Sequence, residues 1–81
     1  MDEKVRKAVD DFIQEIVKRH PGVQPELMDG HLSTEHAWIR IEAASEEESE
    51  AILDTVIKLD YDFYIDRGVD IMTTVPVRQP V

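Results

Sequence analysis

Apolar residues at intervals of three and four mark the first part of the chain, and this spacing places side chains on one side of a helix. The members of this set are Val5, Ala8, Val9, Phe12, Ile13, Ile16 and Val17. Asp2 precedes them as an N-cap, and His20-Pro21-Gly22 follows them as a stop, because proline disfavours helix in the residue before it. The pattern predicts an amphipathic helix over residues 3–19.

Two later segments alternate between apolar and polar residues, which is typical of strands that bury one face. In residues 36–43, Ala37, Ile39, Ile41 and Ala43 alternate with His36, Trp38, Arg40 and Glu42. In residues 69–75, Val69, Ile71, Thr73 and Val75 alternate with Asp70, Met72 and Thr74, and Pro76 ends the run. Each of the two segments is predicted to be a strand.

A weaker strand pattern lies between the first helix and residues 36–43. Val23–Met28 contains Pro25, which argues against a central strand because proline cannot donate to the ladder. Asp29-Gly30, directly behind it, is a residue pair typical of hairpin turns. We therefore predict a short edge strand around Val23–Met28, followed by a turn.

A second helix begins at a capping box, Ser45-Glu46-Glu47-Glu48, in which the serine hydroxyl and the last glutamate satisfy backbone groups of the first turn. Apolar residues follow at spacings of four, three and four, namely Ile52, Val56, Leu59 and Phe63, with Leu53, Ile57 and Tyr64 alongside. Gly68 suits the left-handed position that closes a helix. We predict one helix to about Asp66. The alternative is a break near Asp60 and a strand at Tyr61–Ile65, since aromatic residues favour strands.

These elements predict a two-layer α+β domain in which two helices pack on one face of a small sheet. A chain of 81 residues has room for one domain, which we expect to span residues 1–76, with residues 77–81 as a C-terminal tail. If the last two strands lie parallel and are joined by the second helix, the crossover is expected to be right-handed.

The charge balance narrows the choice of partners. The chain carries 9 basic and 18 acidic residues, and since residues 1–19 are balanced, the net charge of −9 resides in the remainder. An acidic field repels phosphate backbones, so direct nucleic-acid binding is disfavoured, whereas a basic protein partner or a divalent cation is permitted. The sequence has no cysteine and no apolar run of membrane length, and with Asp2 and Glu3 its N-terminus is not expected to be a signal peptide. We expect a cytoplasmic protein that does not associate with membranes.

The outer face of the predicted sheet is the first candidate site. If the apolar side of residues 36–43 packs under the helices, Trp38 and Arg40 point the other way, as does Met72 on the last strand. Trp and Met are enriched in interface cores, and oligomerisation is one way to stabilise a chain this small. We predict a homodimer interface at Trp38, Met72 and Arg40. The alternative is that neighbouring side chains half-cover Trp38, because a single exposed apolar residue needs no partner.

Metal ligation is the second candidate. His31, Glu35 and His36 carry suitable ligand atoms, but in an extended strand His36 points away from the face that the other two share. A carboxylate group follows later in the chain, at Asp60, Asp62, Asp66 and Asp70, without the glycine and closing glutamate of a calcium loop. Surface histidines and a solvated acidic face are the favoured interpretations.

The order helix, turn, strand, capped helix, strand resembles the small nucleotidyltransferase-like domains of prokaryotes, and Ile57 through Val75 is similar to their second helix and last strand. In that family a Gly-Ser turn opens the active site, two aspartates one residue apart on a strand bind magnesium, and a third lies on a later strand. Asp70 matches the third. The turn here is Asp29-Gly30-His31 and the strand reads Glu35-His36-Ala37-Trp38, so the Gly-Ser pair and the paired aspartates are missing. The resemblance implies a degenerate relative that kept the scaffold and lost the reaction.

The sequence supports three functional hypotheses. The first is a non-catalytic interaction module, a homodimer without a cofactor, in which the acidic residues 46–50 could also recruit a basic protein partner. The second is a degenerate nucleotidyltransferase-like domain that binds Mg²⁺ or a nucleotide around Asp70, with His36 and with Glu35 or Glu42. The third is the small acidic partner of a larger toxin or enzyme. With neither a phosphate-cradling glycine loop nor a nucleophile elbow, the sequence does not predict an enzyme.

Overall fold

The computed structural model describes residues 2–28 and 36–78. Along this part of the chain the elements are α1 (Glu3–Arg19), β1 (Glu26–Leu27), β2 (Ala37–Arg40), α2 (Glu46–Arg67) and β3 (Ile71–Thr74). The two helices cover one face of the three-stranded sheet, which confirms the predicted two-layer α+β fold. The predicted turn at Asp29-Gly30 lies outside the described residues.

Helix α1 has the predicted bounds, and its apolar side enters the core. Asp2 caps the first turn, since its Oδ1 accepts a hydrogen bond from the Lys4 N–H at 3.1 Å. The helix ends where the His20 N–H donates to the Ile16 carbonyl at 2.8 Å and Pro21 follows. The residues of α1 that become buried are Val5, Ala8, Val9, Phe12 and Ile16.

The sheet has the strand order β1-β2-β3. β1 is antiparallel to β2, with Leu27 opposite Ile39, whereas β3 is parallel to β2, with Trp38 opposite Met72. A parallel pair requires a long crossover, which α2 supplies. β1 lies at the edge as predicted but has only two residues, and Pro25, which has no N–H to donate, directly precedes it.

The sheet pairing extends into the segment that was predicted to be a tail. Val77 forms an isolated parallel bridge with Ala43, and the Arg78 N–H donates to the Ala43 carbonyl at 2.7 Å. The N–H of Ala43 also bonds to this segment, since it donates to the Pro76 carbonyl at 2.8 Å. Residues 77 and 78 are therefore attached to the sheet, while residues 79–81 lie outside the described part of the chain.

Helix α2 is continuous from Glu46 to Arg67, so the alternative strand at Tyr61–Ile65 is wrong. The Ser45 Oγ accepts from the Glu48 N–H at 3.2 Å, and the Glu48 carboxylate accepts from the Ala44 N–H at 3.0 Å. Gly68 closes the helix in the left-handed conformation, with φ of 66°. Neither helix in the described ranges has the combination of length and apolar composition that a membrane span requires.

The two helices meet through an aromatic pair inside a single apolar cluster. The rings of Phe12 and Phe63 pack edge to face, with centroids 5.4 Å apart. The Arg67 guanidinium lies 4.5 Å from the centre of the Phe63 ring and binds the Asp11 carboxylate at 2.7 Å. That hydrogen bond holds the pKa of Asp11 below its usual value. Ile39 and Ile71 complete the cluster from the sheet side.

Side chains of α2 bind the outer edge of β3. The carbonyls of Asp70, Thr74 and Pro76 accept from the β2 side of the sheet, so residues 71 and 75 direct their backbone groups away from β2. The Ile71 N–H donates to the Asp60 Oδ1 at 3.2 Å, and the Val75 carbonyl accepts from the Ser49 hydroxyl at 2.9 Å. Each end of this edge is therefore bonded to the helix above it.

We expect Asp60→Ala to lower the free energy of unfolding by about 1–3 kcal/mol, because it leaves the Ile71 N–H without its acceptor in a partly buried place. Asp60→Asn is the matched control, since its amide oxygen still accepts that bond. Burial raises the pKa of the Asp60 carboxyl. The folded protein therefore binds the carboxyl proton more tightly than the unfolded chain does, and the charged form of Asp60 becomes costly as the pH rises through the folded pKa.

Urea denaturation near neutral pH and at acidic pH measures the free energy of unfolding of the wild type and of both variants. Asp60→Asn is expected to match or exceed the wild type near neutral pH, with the difference narrowing in acid, where the wild-type carboxyl is protonated. Equal losses for the alanine and asparagine variants would contradict the role given to the hydrogen bond.

Candidate functional site

The outer face of the sheet carries a row of three large apolar side chains. Trp38 and Met72 lie opposite each other on β2 and β3. The Met28 N–H donates to the Trp38 carbonyl at 2.8 Å, which extends the antiparallel register of β1 by one residue and places Met28 on the other side of Trp38. All three side chains are half-buried, and the Trp38 Nε1–H donates to the Thr74 Oγ1 at 3.2 Å. Neighbours on the same face thus cover part of the indole.

A charged cluster borders this row. The Glu42 carboxylate binds Arg78 at 2.7 Å and Arg40 at 3.4 Å. The hydrogen bond from Arg78 is the larger cause that holds the pKa of Glu42 below its usual value. Arg40 is half-buried and opposes Glu26 across the β1–β2 pair. The ion pairs with Glu42 therefore leave little free charge at this border of the row.

The structure places Trp38, Met72 and Arg40 on the face turned away from the core, as the alternation of residues predicted. Their role in an interface stays a prediction. Met28 was missed as a member of this face, because its position depends on how this short strand pairs with β2, which the sequence does not specify.

The proposed metal residues come together only in part. His36 and Asp70 are adjacent, since the His36 N–H donates to the Asp70 carbonyl at 2.9 Å. The Asp70 N–H donates in turn to the His36 Nδ1 at 3.0 Å, which occupies one of the two ring nitrogens. Glu35 and His31 lie outside the described residues, and within the described ranges no group of three ligand side chains is placed to hold a metal ion. Asp62 and Asp66 are exposed on α2.

An open groove beside the first turns of α1 has a volume of about 1010 Å³. Its lining is dominated by charged side chains, and several of them are already paired: Asp11 binds Lys7 at 3.6 Å and Arg67 at 2.7 Å. Small-molecule sites are mostly apolar with a few convergent polar groups. Nine of the ten residues that line this groove are charged, so it does not resemble such a site.

The largest exposed apolar side chains lie instead on α2, on the face turned away from the core. Leu53, Ile57, Tyr61 and Ile65 follow one another at intervals of four residues, and we call this row the α2 outer ridge. Tyr64 lies beside it. The five side chains are between 37% and 66% exposed. Residues four apart are neighbours on a helix surface, so the ridge is a continuous apolar strip three turns long.

The α2 outer ridge was not identified as a site from the sequence, although its residues were visible there. A surface helix normally has one apolar side. The sequence of α2 has two apolar sets, Ile52, Val56, Leu59 and Phe63 in the core, and Leu53, Ile57, Tyr61 and Ile65 outside. A second apolar set at helical spacing is the pattern that would have predicted a second packing partner.

A scan against protein-family models and searches of curated proteins and of solved structures found no match to this chain.

Proposed function

We propose that the protein is a non-catalytic interaction module that self-associates through the α2 outer ridge. The observation that carries this proposal is the continuous exposure of Ile57, Tyr61 and Ile65, each at least 60% exposed, on the face of α2 that is turned away from the core. An apolar strip of this size lies at the upper end of what soluble monomers expose, and such strips are often interaction sites.

The exposed apolar area of the ridge region is large enough for a contact between two copies of this chain. The five apolar side chains of the ridge region present roughly 600 Å² to solvent, taking about 200 Å² for each large side chain and its exposed fraction. Two copies facing each other would bury at most about 1,200 Å², which is the lower end of the range for specific complexes. Tyr61 and Tyr64 also have the character of interface residues, an apolar ring with a hydroxyl that stays hydrated.

The outer face of the sheet, which the sequence predicted to be the interface, is a weaker candidate than the ridge. Trp38 and Met72 are half-buried, and the Trp38 indole N–H already has an acceptor within the chain. Their face remains the alternative place for a homodimer contact. A variant that alters one face and leaves the other intact separates the two.

Light scattering over a wide concentration range tests the proposal. The wild type is expected to approach twice the chain mass of 9.3 kDa at high concentration. Ile57→Asp with Tyr61→Asp is expected to stay monomeric, because it puts charge in the centre of the ridge. Gln14→Asp with Gln24→Asp is the matched control, since it adds the same charge at exposed positions away from the ridge.

Two outcomes would count against the proposed surface. A wild type that is monomeric at every concentration removes self-association altogether. A dimer that survives the two ridge substitutions but dissociates in Trp38→Ala with Met72→Ala places the contact on the sheet instead.

A further inference from the structure

Building on the proposed function, we infer that the second copy packs its own α2 against this one in antiparallel orientation, about a two-fold axis that passes between Ile57 and Tyr61. In this arrangement Ile57 of each copy meets Tyr61 of the other. The ridge is then its own complement, which is the requirement of a two-fold interface.

The spacing of the ridge sets the packing geometry. Leu53, Ile57, Tyr61 and Ile65 form a single row of residues four apart, and when two such rows interdigitate the helix axes cross at about 50°. Side chains near the crossing point then make the closest contacts. The midpoint of the row lies between Ile57 and Tyr61, so a crossing there uses both halves of the ridge equally.

The charges along α2 decide between the two orientations. Residues 46–56 contain five acidic residues and no basic residue, whereas residues 57–67 contain three acidic and two basic residues. A parallel pair would set the two strongly acidic halves side by side. An antiparallel pair sets each acidic half against the nearly neutral half of its partner, and it also opposes the two helix dipoles.

The edge of β3 does not compete for the second copy. Dimers of small α+β domains could also form by pairing edge strands, but the Ile71 N–H and the Val75 carbonyl at the two ends of this edge are bonded to Asp60 and Ser49. A partner strand would have to displace both side chains. The apolar ridge beside that edge needs no such rearrangement.

Cysteine cross-linking tests the orientation cleanly, because the chain has no cysteine of its own. Ile57→Cys and Tyr61→Cys are prepared as separate variants and oxidised alone and as an equimolar mixture, with the products identified by intact mass. In the antiparallel arrangement the mixed disulfide forms fastest. Four residues of helix correspond to about 6 Å of rise, so identical positions in the two copies are too far apart to bond readily.

Lys18→Cys is the background control, since this exposed residue lies on α1 and not on the ridge. We expect the mixed 57–61 product to form at least about tenfold faster than any product of Lys18→Cys or of either ridge variant alone. Faster formation of the 57–57 and 61–61 products would overturn the antiparallel orientation while leaving self-association through the ridge intact. Rates no higher than that of Lys18→Cys, at a concentration where light scattering shows a dimer, would overturn both.

Discussion

Phe12→Ala is expected to lower the free energy of unfolding by about 3–5 kcal/mol, the usual cost of removing a buried aromatic ring. Phe12 is 0% exposed and lies at the centre of the contact between α1 and α2. A chain of this length has a total stability of about 4–12 kcal/mol, from the usual range per residue. This one substitution therefore removes a large share of the stability, and at the lower end of that range the domain unfolds in part at room temperature.

The effect is expected to be large because the Phe12 ring also helps to hold neighbouring side chains in place. It packs edge to face on Phe63, and Phe63 in turn supports the guanidinium of Arg67, which binds Asp11 on α1. Removing the ring opens a cavity and loosens the aromatic pair together. Aromatic pairs of this kind contribute about 0.5–1.5 kcal/mol beyond the area they bury.

Urea denaturation followed by circular dichroism measures the change. Val17→Ala, on the exposed rim of the same helix, is the control and is expected to shift the stability by no more than about 0.5 kcal/mol. Because self-association adds to apparent stability, both substitutions are best compared in the Ile57→Asp, Tyr61→Asp background. Similar losses for Phe12→Ala and Val17→Ala would contradict the packing described for α1.

The second large effect compares the same substitution on the two faces of α2. Ile52 is 0% exposed and Ile57 is 65% exposed. Ile52→Ala is expected to cost about 2–5 kcal/mol of stability. Ile57→Ala is expected to change the stability of the monomer by at most about 0.5 kcal/mol but to raise the dissociation constant of the dimer at least about fivefold.

Denaturation at low protein concentration and light scattering at high concentration measure the two quantities separately. A folded Ile57→Ala variant that associates as tightly as the wild type would contradict the role given to the ridge. A folded, fully stable Ile52→Ala variant would contradict the packing of α2 on the sheet.

Local chemistry made much of the fold predictable from the sequence. The bounds of α1 were set by Asp2 at one end and Pro21 at the other, and those of α2 by the capping box at Ser45 and the left-handed Gly68. Each of these depends on residues within a few positions of the helix end. The alternation around Ile39 likewise predicted which side of β2 is buried.

Features that depend on contacts between distant residues could not be predicted in this way. The length of β1 and the position of Met28 depend on pairing with β2, which comes later in the chain. The bonds of Asp60 and Ser49 to β3 depend on how α2 lies over the sheet, and from sequence alone Asp60 looked like one of several solvated carboxylates. Similarly, Tyr61 and Ile65 favour strands by composition, whereas Phe63 between them packs in the core as part of α2.

The bonded edge of β3 has a further consequence, for how far assembly can proceed. Open sheet edges let chains add one after another into fibres, and this chain offers little for such growth: β1 has two residues, and both ends of the β3 edge are held by α2. Contact through a self-complementary helix face consumes that face in both copies. Association of this protein should therefore stop at two chains, and concentrated solutions should stay clear where an unprotected sheet of the same size would polymerise.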